Sequence, residues 1–289
     1  MELCAPPDYN TLAPVEQLPP LSCDVHCHVF GPAEKFPYWE GRPYDAPDCP
    51  VELLWKMHAT LGFERGVVVQ SAMHGNDNAV LLDALRRSQG RYRGVATLGG
   101  NERDIELEAL HEAGVRGVRF NFVRFLGGPP DKDVFERVLQ RITPLGWHVV
   151  IHAGGEDLLE NADLYRSITA PVVLDHMGRP VVAEGPQQKG FRYVLDNVSH
   201  HGWWVKLSNG ERLSKAGQPW LDVRPYAQAL IAADSSRLLW GTDWPHPKYA
   251  GKPPNDADLL NLLYSYTSDQ SVLRKVLVEN PAQLLGFPT

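Results

Sequence analysis

Four histidines and one aspartate stand where short apolar runs of this 289-residue sequence end. His26 and His28 close the first run, His152 closes WHVVIH, His176 closes PVVLDH, and Asp243 follows RLLWGT. Side chains two apart on a strand share a face, so His26 and His28 project to the same side. Neutral imidazoles and a carboxylate converging from separate strand ends form a donor set that suits zinc or a similar divalent ion. The same residue types serve as general acids and bases. Basic residues gather nearby: Arg119 ends the fourth run, Arg124 follows it, Arg179 follows His176, and Arg212 follows the seventh run. Arginine binds carboxylates in a bidentate fork, so this cluster points to an anionic substrate. Tyr44, in the long segment after the first run, and His246, in the WPHP turn, count as further substrate contacts, with His74 nearby. The remaining histidines, including His58 and His148, read as structural or surface residues.

Those residues need a scaffold that brings strand ends together. The runs are Ser22–His26, Gly66–Gln70, Tyr92–Thr97, Val115–Phe120, Trp147–His152, Pro171–His176, Trp203–Ser208 and Arg237–Thr242. Each is followed by a helical pattern: 51–61, 77–88, 103–113, 131–144, 158–168, 191–199, 223–233 and 257–266. A last helix over 271–285 closes the chain. Runs that are apolar on both faces and alternate with helices read as buried parallel strands. Gly62, Gly114, Gly146 and Gly202 end helices just before a run. Eight such units predict a single α/β (β/α)8 TIM barrel with a C-terminal helical extension. An open doubly wound sheet competes, but it would carry a Gly-rich phosphate loop after its first strand, and HCHVFG is not one. The barrel spans 22–289, after an extended arm over 1–21. Two long segments, 30–50 and 243–255, follow strand ends, the barrel face where active sites are built.

Composition narrows the partners. With 28 Lys and Arg against 35 Asp and Glu, the net charge is −7, which argues against nucleic acid and anionic membranes. Cys4, Cys23, Cys27 and Cys49 lack the paired spacing of a zinc site and are too few for a disulfide scaffold. The polar, Pro-rich start shows no signal-peptide pattern, and no run is long enough to span a membrane. The expectation is a cytoplasmic enzyme of a small anionic molecule, with homo-oligomerisation left open.

The motifs DVHCHVFGP, VRGVRFNFV, VVLDHMGRP and LLWGTDWPHP, within a similarity running from Ser22 to Phe287, resemble the amidohydrolase superfamily. The branch is that of the 2-pyrone-4,6-dicarboxylate lactonases and related lactone hydrolases. The resemblance implies a (β/α)8 barrel that hydrolyses a small carboxylated lactone in aromatic catabolism. It implies His26, His28, His152 and Asp243 as ligands of one divalent metal, zinc by default and manganese as the alternative. The strand-four lysine of binuclear members is absent, since that strand ends Arg119-Phe120-Asn121. Asp243 would also take a proton from water, and His176 would orient the water or polarise the carbonyl. Arg119, Arg124 and Arg212 would hold carboxylates. Metal-free pyrone lactonases carry tyrosine at the position of His152, so this chain resembles the metal-containing 4-sulfomuconolactone hydrolases in its ligand set. A second departure is Phe125, at a position where the pyrone lactonases carry an arginine. The competing readings are a metal-independent pyrone-dicarboxylate lactonase, a metal-dependent decarboxylase of an aromatic or muconic acid, and an inactive binding protein on the same scaffold.

Overall fold

The computed structural model describes residues 3–288. Met1, Glu2 and Thr289, which the expected arm and barrel limits include, lie outside the described residues. Eight strands run in chain order: β1 (Cys23–Cys27), β2 (Arg65–Val69), β3 (Tyr92–Ala96), β4 (Val115–Asn121), β5 (His148–His152), β6 (Val172–Leu174), β7 (Trp204–Lys206) and β8 (Leu238–Leu239). All successive pairs are parallel. The seam between β8 and β1 is joined past the end of β8, by Val25 N–H to the Trp240 carbonyl (3.0 Å), Asp243 N–H to that of His26 (2.8 Å) and His28 N–H to that of Trp244 (2.7 Å). The result is the expected TIM barrel.

Between the strands lie α1 (Val51–Leu61), α2 (Ala79–Arg87), α3 (Asp104–Ala113), α4 (Lys132–Ile142), α5 (Glu156–Glu160), α6 (Ala162–Arg166), α7 (Lys189–His201), α8 (Gly210–Leu213) and α9 (Arg224–Asp234), and α10 (Asp256–Tyr266) follows β8. The helix expected over 158–168 is two. The Asn161 amide donates to the Asp157 carbonyl (2.8 Å), competing with the helical ladder at the junction. The closing helix is likewise broken into α11 (Gln270–Arg274), a π turn at Lys275–Glu279, and α12 (Asn280–Leu285). Pro281 lacks the N–H that would continue the i→i−4 ladder, so the backbone widens ahead of it. Asn280 then anchors α12, donating to the carbonyls of Ser235 (2.9 Å) and Leu238 (2.7 Å).

Two apolar layers follow from strand alternation. Cys23, Val25, Val67, Val69, Val95, Val150, Val173, Trp204 and Leu239 pack together inside the barrel with Ala282, Leu285 and Phe287. Arg93 donates to the Leu285 carbonyl (3.2 Å) and Arg65 to that of Pro288 (2.5 Å), so the C-terminal segment covers the starts of β2 and β3. The opposite strand faces pack on the helices. The mouth at the strands' C-terminal ends is thus left for the polar residues.

Regular alternation would put His26 on the opposite side of β1 from Val25. The pairing of β1 with β2 advances from Asp24↔Gly66 to Cys27↔Val68, three residues against two. This bulge reverses the sense of the strand and brings His26 and His28 into the barrel. Strands 6 to 8 stop earlier than the sequence runs suggested. Left-handed residues follow β6 at His176 (φ 55°) and Met177 (φ 55°) and β7 at Asn209 (φ 61°), and turn the chain out of the strand direction.

Candidate active site

A cavity of about 500 Å³ opens at the strands' C-terminal ends, bordered by His28, His152, His176 and Asp243. On its floor His26 Nε2, His28 Nε2 and Asp243 Oδ1 form a triangle. His28 Nε2 lies 3.3 Å from His26 Nε2 and 3.2 Å from Asp243 Oδ1, and His26 Nε2 lies 3.5 Å from that same oxygen. The His28 ring is oriented by Nδ1–H donating to the Val69 carbonyl (2.8 Å), since a carbonyl can only accept. The Nε2 of a neutral His28 therefore carries a lone pair aimed at a carboxylate oxygen. Two acceptors at that distance need a proton or a cation between them. Ligands about 2.0–2.1 Å from a tetrahedral zinc are about 3.3–3.4 Å apart, which the three sides of this triangle match.

Behind the triangle sits a buried charged group. Asp175 Oδ1 lies 2.9 Å from Lys206 Nζ and 3.3 Å from His26 Nδ1, and its Oδ2 accepts from Arg119 Nε (2.9 Å). Burial opposes its charge, but Lys206, His26 and Arg119 outweigh that and hold its pKa well below the usual carboxylate range. Burial, and then the Lys206 charge 3.0 Å away, push His26 down to about 4. His176 and His152 are also driven well below the imidazole range, by burial first. All three are neutral at pH 7, as metal-binding or proton-accepting imidazoles must be. Asp243 stays ionised: burial raises its pKa, but the groups facing it, His28 and the Arg212 guanidinium among them, more than reverse this.

His176 Nδ1 bonds Ser208 Oγ (2.8 Å). Its ring centroid is 4.7 Å from that of His26 and 5.3 Å from that of His152. His152 stands outside the triangle, next to His176. Its Nδ1 faces Asn121 Oδ1 (3.0 Å), while its buried Nε2 has no hydrogen-bond partner among the described residues.

Arg119, Arg179 and Arg212 all border the cavity, and Arg212 Nη2 lies 3.3 Å from Asp243 Oδ2. Tyr44 is there too, its hydroxyl 3.2 Å from Ser71 Oγ. Two expected contacts are not brought in. Arg124 opens a 3-10 turn after β4; its side chain is 78% exposed and reaches outward toward Asp157 (3.8 Å) and Glu160 (3.7 Å). His246 is fully buried against Asp256 (3.1 Å). Burial disfavours its charge, yet Asp256 and Glu211 together raise its pKa, as in a structural ion pair. The next residues of its turn, Pro247 to Ala250, line the cavity instead. Sequence reasoning missed Lys206 and Glu211. A lysine inside the apolar run WWVKL was the available signal for the first, because a buried strand does not hold a charge without a partner. Nothing local marked Glu211, whose pKa burial raises to about 7.

A parallel barrel with ionisable groups gathered at its C-terminal mouth is the architecture of a (β/α)8 enzyme. The chain belongs to the amidohydrolase family, whose pattern matches residues 23–287. It is 41% identical to the 2-pyrone-4,6-dicarboxylate hydrolase of Comamonas testosteroni, over 95% of this chain and 93% of that one. The 4-sulfomuconolactone hydrolase of Rhizobium radiobacter is 40% identical, over 93% of this chain and 91% of its own. Among solved structures, a probable 2-pyrone-4,6-dicarboxylic acid hydrolase from Acinetobacter baumannii, with citric acid bound, superposes with a TM-score of 0.80. It is 26% identical, over 92% of this chain and all of its own. Among the described residues, no helix is long and apolar enough to cross a membrane.

Proposed function

We propose that the protein is a metal-dependent hydrolase that opens a small carboxylated ring lactone of the kind met in aromatic catabolism. The observation that carries this reading is the triangle of His26 Nε2, His28 Nε2 and Asp243 Oδ1, whose sides of 3.2–3.5 Å suit one zinc ion, with manganese as the alternative. His152, which also lines the cavity, would be the fourth donor through its Nε2, an atom without a hydrogen-bond partner among the described residues. When bound there, such an ion supplies Lewis acidity and lowers the pKa of a water to about 7.

The chain's own residues supply the remainder. Asp243 is ionised and meets the cavity, so it receives the proton that the attacking water gives up. Arg212 on its other oxygen keeps that carboxylate oriented. His176, neutral and fixed by Ser208, polarises the lactone carbonyl or steers the water. Arg119 is held by Asp175 through Nε, and with Arg179, Arg212 and Tyr44 it fixes the substrate carboxylates. The hydrolases named above act on lactones bearing carboxylate or sulfonate groups, which matches this basic rim.

Mass spectrometry of the product formed from carboxylated muconolactones and pyrone carboxylates tests the reaction. Uptake of one water, with the ring opened to a hydroxy acid or its keto form, is expected. Release of carbon dioxide would assign a decarboxylase instead.

A further inference from the structure

Outside the catalytic cavity, Asp24, Cys27 and His58 form a second buried cluster of ligand-type side chains. It is not a metal site, because Asp24 already has four donors. Oδ1 accepts the main-chain N–H groups of His26 (2.9 Å) and Thr242 (3.1 Å). Oδ2 accepts from Thr242 Oγ1 (2.6 Å) and His58 Nε2 (3.1 Å). The chain continues to β3, where Tyr92 Oη lies 2.5 Å from His58 Nδ1. With Tyr92 donating to Nδ1 and Nε2–H donating to Asp24, every polar group in the row is satisfied. Cys27 Sγ donates elsewhere, to the Val67 carbonyl (3.2 Å).

The position of this network matters. The β1 bulge spans Asp24 to Cys27, and a bulge leaves a main-chain group without its ladder partner. Asp24 Oδ1 takes up the His26 N–H inside the bulge and, across the seam, the N–H of Thr242 next to Asp243. One oxygen thus joins the two backbones that carry the triangle. Thr242 Oγ1 extends the tie by accepting Trp244 N–H (3.0 Å). The seam leaves no slack: a Cβ on Gly241 would lie 2.5 Å from His26 N and 2.9 Å from Asp24 Oδ1.

We propose that Asp24 is a positioning residue which, with Thr242, His58 and Tyr92, holds the β1 bulge that turns His26 and His28 into the barrel and sets their spacing from Asp243. The inference rests on the reading of those three residues as the working site. It predicts an unusual pattern of tolerance. In Asp24→Asn the amide oxygen can keep both main-chain N–H groups, while its NH2 faces two groups able to reverse roles, the Thr242 hydroxyl and the His58 imidazole. In Asp24→Ala both main-chain donors lose their acceptor. Thr242→Val removes only the hydroxyl tie, and Thr242→Ser restores it.

The test measures kcat and KM for lactone opening, zinc retention against a competing chelator, and Tm, in all four variants. Asp24→Ala and Thr242→Val should lose about 10–100-fold in kcat and in zinc affinity, the range for groups that orient metal ligands, with KM within about twofold of wild type. Asp24→Asn and Thr242→Ser should stay within a fewfold of wild type in both. If Asp24→Ala fails to fold, the Thr242 pair decides. A folded Thr242→Val with normal kcat and zinc affinity would overturn the proposal, even with a lowered Tm, and so would a loss confined to KM. Failure of the metal reading shows separately: wild type then opens lactones without retaining zinc, and the kcat arm alone judges Asp24. If wild type retains zinc but opens no lactone, the affinity arm judges it.

Discussion

His148 tests whether the barrel interior holds its imidazoles neutral. It opens β5, is 3% exposed, and packs on Gly117, where a Cβ would come within 2.5 Å of its Nε2. Burial first, and then the Lys206 charge, lower its pKa from 6.5 to about 3, and the same two causes bring His26 to about 4. In the unfolded chain both titrate near the ordinary value. Between that value and the folded one, only the unfolded state takes up the proton. The contribution to stability is therefore complete above pH 6.5 and is lost as pH falls toward the folded values. Each pH unit in that window costs about 1.4 kcal/mol per group. Going to pH 5 then removes about 2 kcal/mol through His148 and about as much through His26, a large part of a typical stability of about 5–15 kcal/mol. His148→Leu deletes one of these two contributions. Urea unfolding of metal-stripped wild type and variant at pH 7 and pH 5 supplies the comparison, and carboxylate titration common to both cancels. The wild-type loss should exceed the variant's by about 2 kcal/mol. Equal losses would mean that His148 takes up its proton without unfolding, and that the barrel interior does not hold it neutral.

Asp243→Asn should reduce kcat by about 10²–10⁴ with the far-ultraviolet dichroism unchanged, because it removes a proton acceptor and not a core side chain. His176→Ala should fall at the lower end of that range, and near-normal turnover in either variant would remove its assigned role. Arg179→Met should raise KM by about ten- to 150-fold, the loss of one charge-assisted hydrogen bond of about 1.5–3 kcal/mol, with kcat little changed. Arg124→Met should leave both constants unaltered, since that side chain reaches out to Asp157 and Glu160; a rise in KM there would return Arg124 to the substrate.

Much of this was legible in the sequence because the barrel repeats one simple pattern. Runs such as GVVVQ and WHVVIH must be buried on both faces, and the glycines ahead of several runs, such as Gly114 (φ 109°), end the preceding helices in the left-handed region. Polar residues in such runs had to collect where the strands end, which placed His152, His176 and Asp243 at the mouth. What stayed hidden depends on contacts between distant segments. The β1 bulge that turns His26 inward is a matter of register with β2, and no residue type announces it. The WPHP turn correctly suggested the mouth, but Asp256 lies ten residues on and draws His246 into the interior. Arg124 has the right position in the chain, yet the 3-10 turn at Arg124–Leu126 faces it outward. Lys206 finds one partner, Asp175, just past the neighbouring β6, and another, His26, on β1, which only barrel closure brings within reach.

Elemental analysis coupled to reversible metal removal bears most directly on the metal-dependent reading. The purified protein should hold one equivalent of a divalent metal. Exhaustive chelation should abolish lactone opening, and one equivalent of zinc should restore it. His152→Tyr, treated in parallel, should retain metal poorly. Full activity in a chelated protein shown to be metal-free would contradict the reading: the His26, His28 and Asp243 triangle would then be closed by a proton, and His152 would be left as a substrate contact.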